Sequence, residues 1–502
     1  MGKAKRFSLE HLWPLIAIVC VFITANTYPI RPHDFWWHIA VGREILDTRE
    51  IPALDVYSFT MPGQPYPSYN MFWLAEVSLY LVYRLGGPAL VIFLHSLLLT
   101  AAYGFLLWIG WRVTRSWRIA AIVTLFAILL GITNWNVRTQ TITFLIGALY
   151  LLAIYSYRLK PHFAWLIVFP VGMVVWANSH GSFIIGFAVL GIWLADELWR
   201  YLLARIRKDR SYSWKGLLPP VIALILALLA CLLNPRGVFI YQYVQTLSTD
   251  PTVQNRVPEW APPSFDTFYG ALFLSGLLLI AILLAVSPRR PDFFQLASFL
   301  FFSLLGLKTS RGIIWFGLAT APILADQLAA LAASFTRQGP RPERRRGSAP
   351  VNALLLFLLV TIAVLSLPWF KQALPFPGVK SGLVSAETPV QATQFLLNEK
   401  LPGELFHDMG YGSYLIWAAY PAYRVFVDPR IEFYSPEVWR DYVVIVNALP
   451  GWEQFLERYQ VQTLLLSLAE QPELIAAAEA SSHWRQVYRD GTAVIFVKNP
   501  LP

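Results

Sequence analysis

The chain has 502 residues, 56% hydrophobic and only 14% charged, with 40 Lys and Arg against 30 Asp and Glu, a formal charge of +10. Soluble proteins carry about 25% charged residues, so this balance excludes an ordinary water-soluble enzyme, a disordered chain and a disulfide scaffold. A mean hydropathy of +0.50 points to a polytopic membrane protein, and the basic residues fall in short loops between apolar runs, with no zinc-finger spacing or basic stripe to serve nucleic acid.

The basic stretch Met1–Arg6 leads into the apolar run Leu12–Ala25. No small-residue cleavage site follows, so it reads as a retained first span rather than a signal peptide. A crossing helix needs about 20 largely apolar residues, with shorter runs tolerated. On that scale spans are expected at 11–29, 88–110, 117–133, 141–157, 163–178, 182–204, 216–233, 268–286, 292–307, 312–334 and 351–369. Segment 71–86 is apolar but carries Glu76 and Arg84, which fits a helix lying at the interface. With the N-terminus inside, the predicted inner loops hold more than twice as many Lys and Arg as the outer ones, as membrane orientation requires. The loop 335–350, with its Arg-Pro-Glu-Arg-Arg-Arg run, is expected to be cytoplasmic. Cys20 and Cys231 both sit in apolar runs and imply no disulfide.

From about residue 371 the pattern changes to short alternating helices and strands. Thr388-Pro389 and Ser435-Pro436 predict helix starts, and Arg424–Asp428, Gln462–Leu466 and Thr492–Lys498 predict strands. The expected organisation is a membrane domain of about eleven helices over 1–370, with interface helices in a first outer loop at 30–87, and a small extracytoplasmic α/β domain over 371–502.

The candidate chemistry lies on one side. His33, His38 and His180 fall on predicted outer loops or span ends, beside Asp34, Asp55, Glu76, Arg138, Gln140, Asn178, Asn234, Glu259, Lys308 and Arg311. Charges at interface depth need partners or a cavity, whereas the span midplanes hold little that ionises apart from His95, which reads as hydrogen-bonded packing. In Arg31-Pro-His-Asp-Phe-Trp-Trp-His38, a carboxylate flanked by two histidines suits a general base or an acceptor for sugar hydroxyls. Trp36 and Trp37 read as an interfacial aromatic belt. Arg138, Lys308 and Arg311 lie at the outer ends of different span pairs. They suit either a lipid phosphate or diphosphate, if they converge, or ordinary snorkelling to head groups. Trp176-Ala-Asn-Ser-His-Gly181 is a polar turn or a hydrogen-bonding subsite, and Glu259 is a second carboxylate or a solvated loop residue.

The motifs Asp34-Phe-Trp-Trp-His38 with Gly42-Arg43, Trp73-Leu-Ala-Glu76, Asn178-Ser-His-Gly181, and Gly412-Ser-Tyr-Leu-Ile-Trp417 ahead of Val427-Asp428 resemble the GT-C superfamily, in a bacterial GT-C-like branch. The likeness extends over most of the chain. Members are integral-membrane glycosyltransferases that use polyprenyl-phosphate or -diphosphate sugars. The resemblance implies a transferase of the bacterial inner membrane, working at the extracytoplasmic face with Asp34 as base. His38 and His180 would assist it, while His33, Arg138, Asn178, Glu259, Lys308 and Arg311 would bind substrate. Protein-mannosyltransferase-like members usually show an acidic doublet at that position, whereas Asp34 is followed by Phe35. No second-loop D-x-D is present, so no metal site and no cofactor beyond the lipid-linked sugar is expected. The expected partners are that sugar, membrane lipids and, in the alternative of a non-catalytic assembly subunit, other membrane chains. Ile431–Tyr434 would then be a contact surface.

Overall fold

The computed structural model describes residues 9–66, 68–209, 212–249, 257–336, 349–371 and 382–499. The basic residues 1–6 and most of the loop at 335–350 lie outside them. Each expected span is met by a helix: α1 (Leu9–Thr27), α3 (Tyr69–Thr114), α4 (Trp117–Gly131), α5 (Thr141–Leu159), α6 (Ala164–Ala177), α7 (Ile184–Ile206), α8 (Leu218–Cys231), α10 (Phe268–Val286), α11 (Phe293–Lys308), α12 (Gly312–Thr336) and α13 (Ala349–Leu365). Among the described residues 8 helices are long and apolar enough to cross a membrane, and α6, α11 and α13 are shorter apolar helices. Two further helices, α2 (Phe35–Thr48) and α9 (Phe239–Thr249), lie in predicted outer loops.

The continuous helix α3 contains the expected break between interface helix and span. Gly86 and Gly87 leave helical geometry there, Gly87 at φ 60, and Pro88 follows with no N–H to give. The start of α11 follows from its sequence: Asp292 accepts from Gln295 N while the Gln295 side chain reaches back, a complete capping box. His95 is buried and bonds Thr141 Oγ1 at 3.0 Å, as packing predicts. At the predicted inner end the charges pair among themselves. Arg158 donates to Asp292 at 2.7 Å and sits 3.3 Å from the buried Asp196, which Arg200 also meets at 3.0 Å.

The C-terminal part carries a four-stranded sheet in the order β1-β2-β4-β3, with β1 (Glu404–His407) parallel to β2 (Val461–Ser467), and β3 (Trp484–Arg489) and β4 (Ala493–Lys498) antiparallel. Around it pack α14 (Val390–Glu399), α15 (Met409–Ala418), α16 (Pro436–Val446), α17 (Trp452–Arg458) and α18 (Pro472–Ala480). The predicted strand Arg424–Asp428 does not join this sheet. It is extended, but it pairs with the first outer loop, where Val425 N donates to Tyr57 O at 2.9 Å and Phe59 N to Val425 O at 3.2 Å. Strands β1 and β3 carry weak local signals, because one is only four residues long and the other places Arg485, Gln486 and Arg489 among its apolar residues.

The first outer loop and the C-terminal part share one core, in which Trp37, Val41, Tyr57, Tyr66 and Tyr69 pack with Phe426, Ile431 and Phe433. Two expectations fall here. Trp36 and Trp37 are not an interfacial belt: both are buried, Trp36 against Tyr83 and Tyr414. Ile431–Tyr434 is not an exposed contact surface, since Ile431, Phe433 and Tyr434 are buried within the chain. Arg430 fastens the joint. It donates to Asp428 at 2.8 and 2.6 Å, to Tyr69 Oη at 2.7 Å and to Asp55, inside a ring of Trp37, Tyr57, Tyr66 and Phe433.

Candidate active site

A cavity of about 340 Å³ opens where the bundle meets the C-terminal part, and its walls come from predicted outer connections and the helix turns beside them. Asp34, His38, Arg138, His180, Lys308 and Arg311 all line it.

Asp34 immediately precedes α2, yet its carboxylate caps no backbone N–H. It accepts instead from Arg138 Nη1 at 3.3 Å. Arg138, buried in the α4–α5 connection, donates with Nη2 to Glu259 Oε2 at 3.0 Å, and Arg311 Nε donates to the same oxygen at 2.7 Å. Backbone bonds from Arg311 N to Glu259 O and from Ser310 N to Ala261 O hold this loop in place. Burial would raise the Glu259 carboxyl, but the two guanidiniums outweigh it and hold it down to about 2. Lys308 ends α11 and α12 begins only four residues later. A Cβ on Gly312 would stand 2.4 Å from the Leu305 carbonyl oxygen, so this tight turn requires glycine. The turn sets Lys308 and Arg311 on one wall, and Lys308 makes no ion pair among the described residues.

The two histidines differ in their backing. Ser182 N donates to His180 Nδ1 at 3.1 Å, and Trp176 Nε1 holds the Ser182 hydroxyl at 3.0 Å. Burial, reinforced by Arg311 and Arg138, pushes His180 well below its usual value, so the ring is neutral. A backbone N–H can only donate, so Nδ1 carries the lone pair and Nε2 carries the proton. His180 is therefore a hydrogen-bond donor rather than a base. His38 is likewise driven neutral, by burial and then by His180, Arg138 and Arg430. Its Nδ1 lies 2.8 Å from Glu76 Oε1, while Glu76 Oε2 is buried without a partner among the described residues. A Cβ on Gly42 would come within 2.2 Å of the Glu76 carbonyl oxygen, so glycine allows α2 to lie this close to α3.

Three predicted site residues stand elsewhere. Glu259 does not line the cavity; it sits behind, bridging the two arginines. Asn178 is fully committed to structure, accepting from Trp73 Nε1 at 2.7 Å and Asn234 Nδ2 at 3.1 Å while donating to Val174 O at 2.8 Å. His33 is exposed, outside the cavity and against Gly410. The sequence reading missed Arg430 and Glu432, which bring the C-terminal part into the cavity wall. Their only sequence signal was a charged, aromatic-rich turn at 428–434. Among the described residues no three His, Cys, Asp or Glu converge as ligands for a cation.

Multiple apolar helices, a cavity with charged residues in its wall at one end of the bundle and a small C-terminal sheet define the architecture of a multi-pass membrane protein. Three solved structures share that architecture. The archaeal oligosaccharyltransferase AglB from Archaeoglobus fulgidus, in complex with an inhibitory peptide and a dolichol-phosphate, is 12% identical with a TM-score of 0.57, over 97% of this chain and 74% of that one. The arabinofuranosyltransferase AftD from Mycobacteria is 14% identical with a TM-score of 0.56, over 99% of this chain but only 40% of AftD. ArnT from Cupriavidus metallidurans, bound to undecaprenyl phosphate, is 16% identical with a TM-score of 0.51, over 98% and 99% of the two chains. At these identities the likeness defines the fold. No protein-family model matches the sequence, and a search of curated proteins finds no match.

Proposed function

We propose that the protein transfers a sugar from a polyprenyl phosphate or diphosphate to an acceptor hydroxyl at the extracytoplasmic face of a bacterial inner membrane, its N-terminus cytoplasmic and its C-terminal domain outside. One observation carries this reading: a carboxylate, Asp34, shares one cavity with Lys308, which makes no ion pair among the described residues, and with Arg138 and Arg311. Arginine and lysine suit phosphate oxygens, and Ile184, Ile185, Val244 and Leu305 add apolar wall for the start of an isoprenoid chain. AglB and ArnT, solved with lipid phosphates, support the same use of the fold.

The donor phosphate enters beside Lys308 and competes with Asp34 for Arg138, whose bond to Asp34 is longer than its bond to Glu259. The freed carboxylate takes the proton of the acceptor hydroxyl. That oxygen attacks the anomeric carbon, the bond from this carbon to the phosphate oxygen breaks, and its electron pair leaves with the polyprenyl phosphate, inverting the centre. His180 Nε2–H and the cationic wall stabilise the oxygen that gains charge. A positioned base contributes about 10²–10⁴-fold. Asp34→Asn should therefore lower transfer from radiolabelled polyprenyl-phosphoryl sugars by at least about a hundredfold, with expression and membrane insertion unchanged. Wild-type transfer by that variant would overturn the assignment.

A further inference from the structure

Glu432 is the cavity residue whose hydrogen bonding is most lopsided. Its Oε1 accepts from Tyr66 Oη at 2.8 Å, Tyr243 Oη at 3.0 Å and Ser68 Oγ at 3.2 Å. Its Oε2 has no partner among the described residues, and the side chain lines the cavity. The donors come from the first outer loop and from α9, and all three grip one oxygen. The carboxylate is thereby held in one orientation, with its second oxygen left over. The backbone beneath is equally fixed, because the adjoining Arg430 is bound to Asp428, Tyr69 and Asp55. A carboxylate built this firmly at the wall of a cavity, with one oxygen unbonded among the described residues, is a preorganised acceptor for O–H or N–H groups.

The opposite demand is met elsewhere in the cavity. Lys308, Arg138 and Arg311 supply positive charge, while Glu432 lies on the C-terminal wall beside Pro429–Ile431. A ligand filling both regions has an anionic group at one end and donors at the other. We propose that Glu432 Oε2 reads the sugar of the donor, accepting from hydroxyls or an amine on a neutral or amino sugar and rejecting a uronic acid, whose own carboxylate would face it. This rests on the transferase reading above and assigns part of its specificity to the C-terminal domain.

The test measures binding to the full chain in lipid nanodiscs. The probes are undecaprenyl phosphate alone and undecaprenyl-phosphoryl derivatives of a neutral hexose, a neutral pentose, an amino sugar and a uronic acid. Wild-type protein should bind at least one neutral or amino-sugar lipid about tenfold or more tighter than the bare lipid, the size expected for a hydrogen bond to a charged group. The uronic acid lipid should show no such gain. Glu432→Gln keeps the shape of the side chain and loses the charge; it should lose most of that preference while binding the bare lipid as before. Glu432→Gln with the wild-type preference intact would overturn the inference and leave the transferase reading standing. A wild-type protein that binds neither bare nor sugar-bearing lipid would overturn both.

Discussion

Glu259 shows how one side chain can matter to a cavity it does not enter. Its single oxygen Oε2 neutralises part of two guanidiniums and fixes the distance between them. Glu259→Gln leaves Arg138 and Arg311 as facing like charges with one weaker acceptor. Thermal unfolding in detergent should show a loss of about 1–3 kcal/mol at neutral pH, the scale of a hydrogen bond to a charged group. Because the carboxyl is held down to about 2 from 4.5, its contribution is present above pH 4.5 and lost as pH falls toward 2, so the variant and wild type should converge there. Unchanged stability at pH 7 would show that the bridge is ornamental. At this scale Asp34, Arg138, Lys308, Arg311 and His180 were legible in the sequence, because charges at the end of an apolar run need a reason to be there. Glu432 was not, since a loop carboxylate two residues from an arginine looks the same whether solvated or clasped by phenols from distant segments.

Helix α15 is an element whose start carries a titratable cost. Asp408 caps it, accepting from Gly410 N at 2.8 Å, and burial pushes this carboxyl up from 3.8 to about 6 despite that bond. A carboxyl raised in the fold stabilises only while protonated. The fold therefore loses stability as pH rises from about 4 through about 6, and stays at the lower level above it. Asp408→Asn keeps a capping oxygen without the charge, so it should raise the melting temperature at pH 7.5 and leave it nearly unchanged at pH 4. An equal effect at both values would refute the burial argument. The sequence revealed the helices better than the strands. Apolar length and the starts at Thr388-Pro389 and Ser435-Pro436 are local signals. The segment 424–428 has every local mark of a strand, yet its partner is the first outer loop, and partner choice is a long-range property that β-propensity does not contain.

On the scale of the whole molecule, eleven apolar segments were readable from hydropathy alone, and the separation of 71–86 from the span that follows it from the charges Glu76 and Arg84. What could not be read was the closure of the cavity. That closure comes from residues nearly 400 positions apart, such as Asp55 and Arg430, buried together in a core that unites the first outer loop with the C-terminal part. The polar groups of the predicted outer side converge, while those of the predicted inner side pair off as Arg158, Asp196, Arg200 and Asp292. The central claim is that the outer cluster exists to hold a lipid-linked phosphate. The most direct measurement is a cryo-EM structure of the protein in nanodiscs with undecaprenyl phosphate. The account predicts phosphate density in the cavity, its oxygens within hydrogen-bond distance of Lys308 and Arg138, with the Asp34–Arg138 contact opened. Phosphate bound instead at the Arg158–Arg200 end, or a cavity that stays empty at saturating lipid, would contradict it.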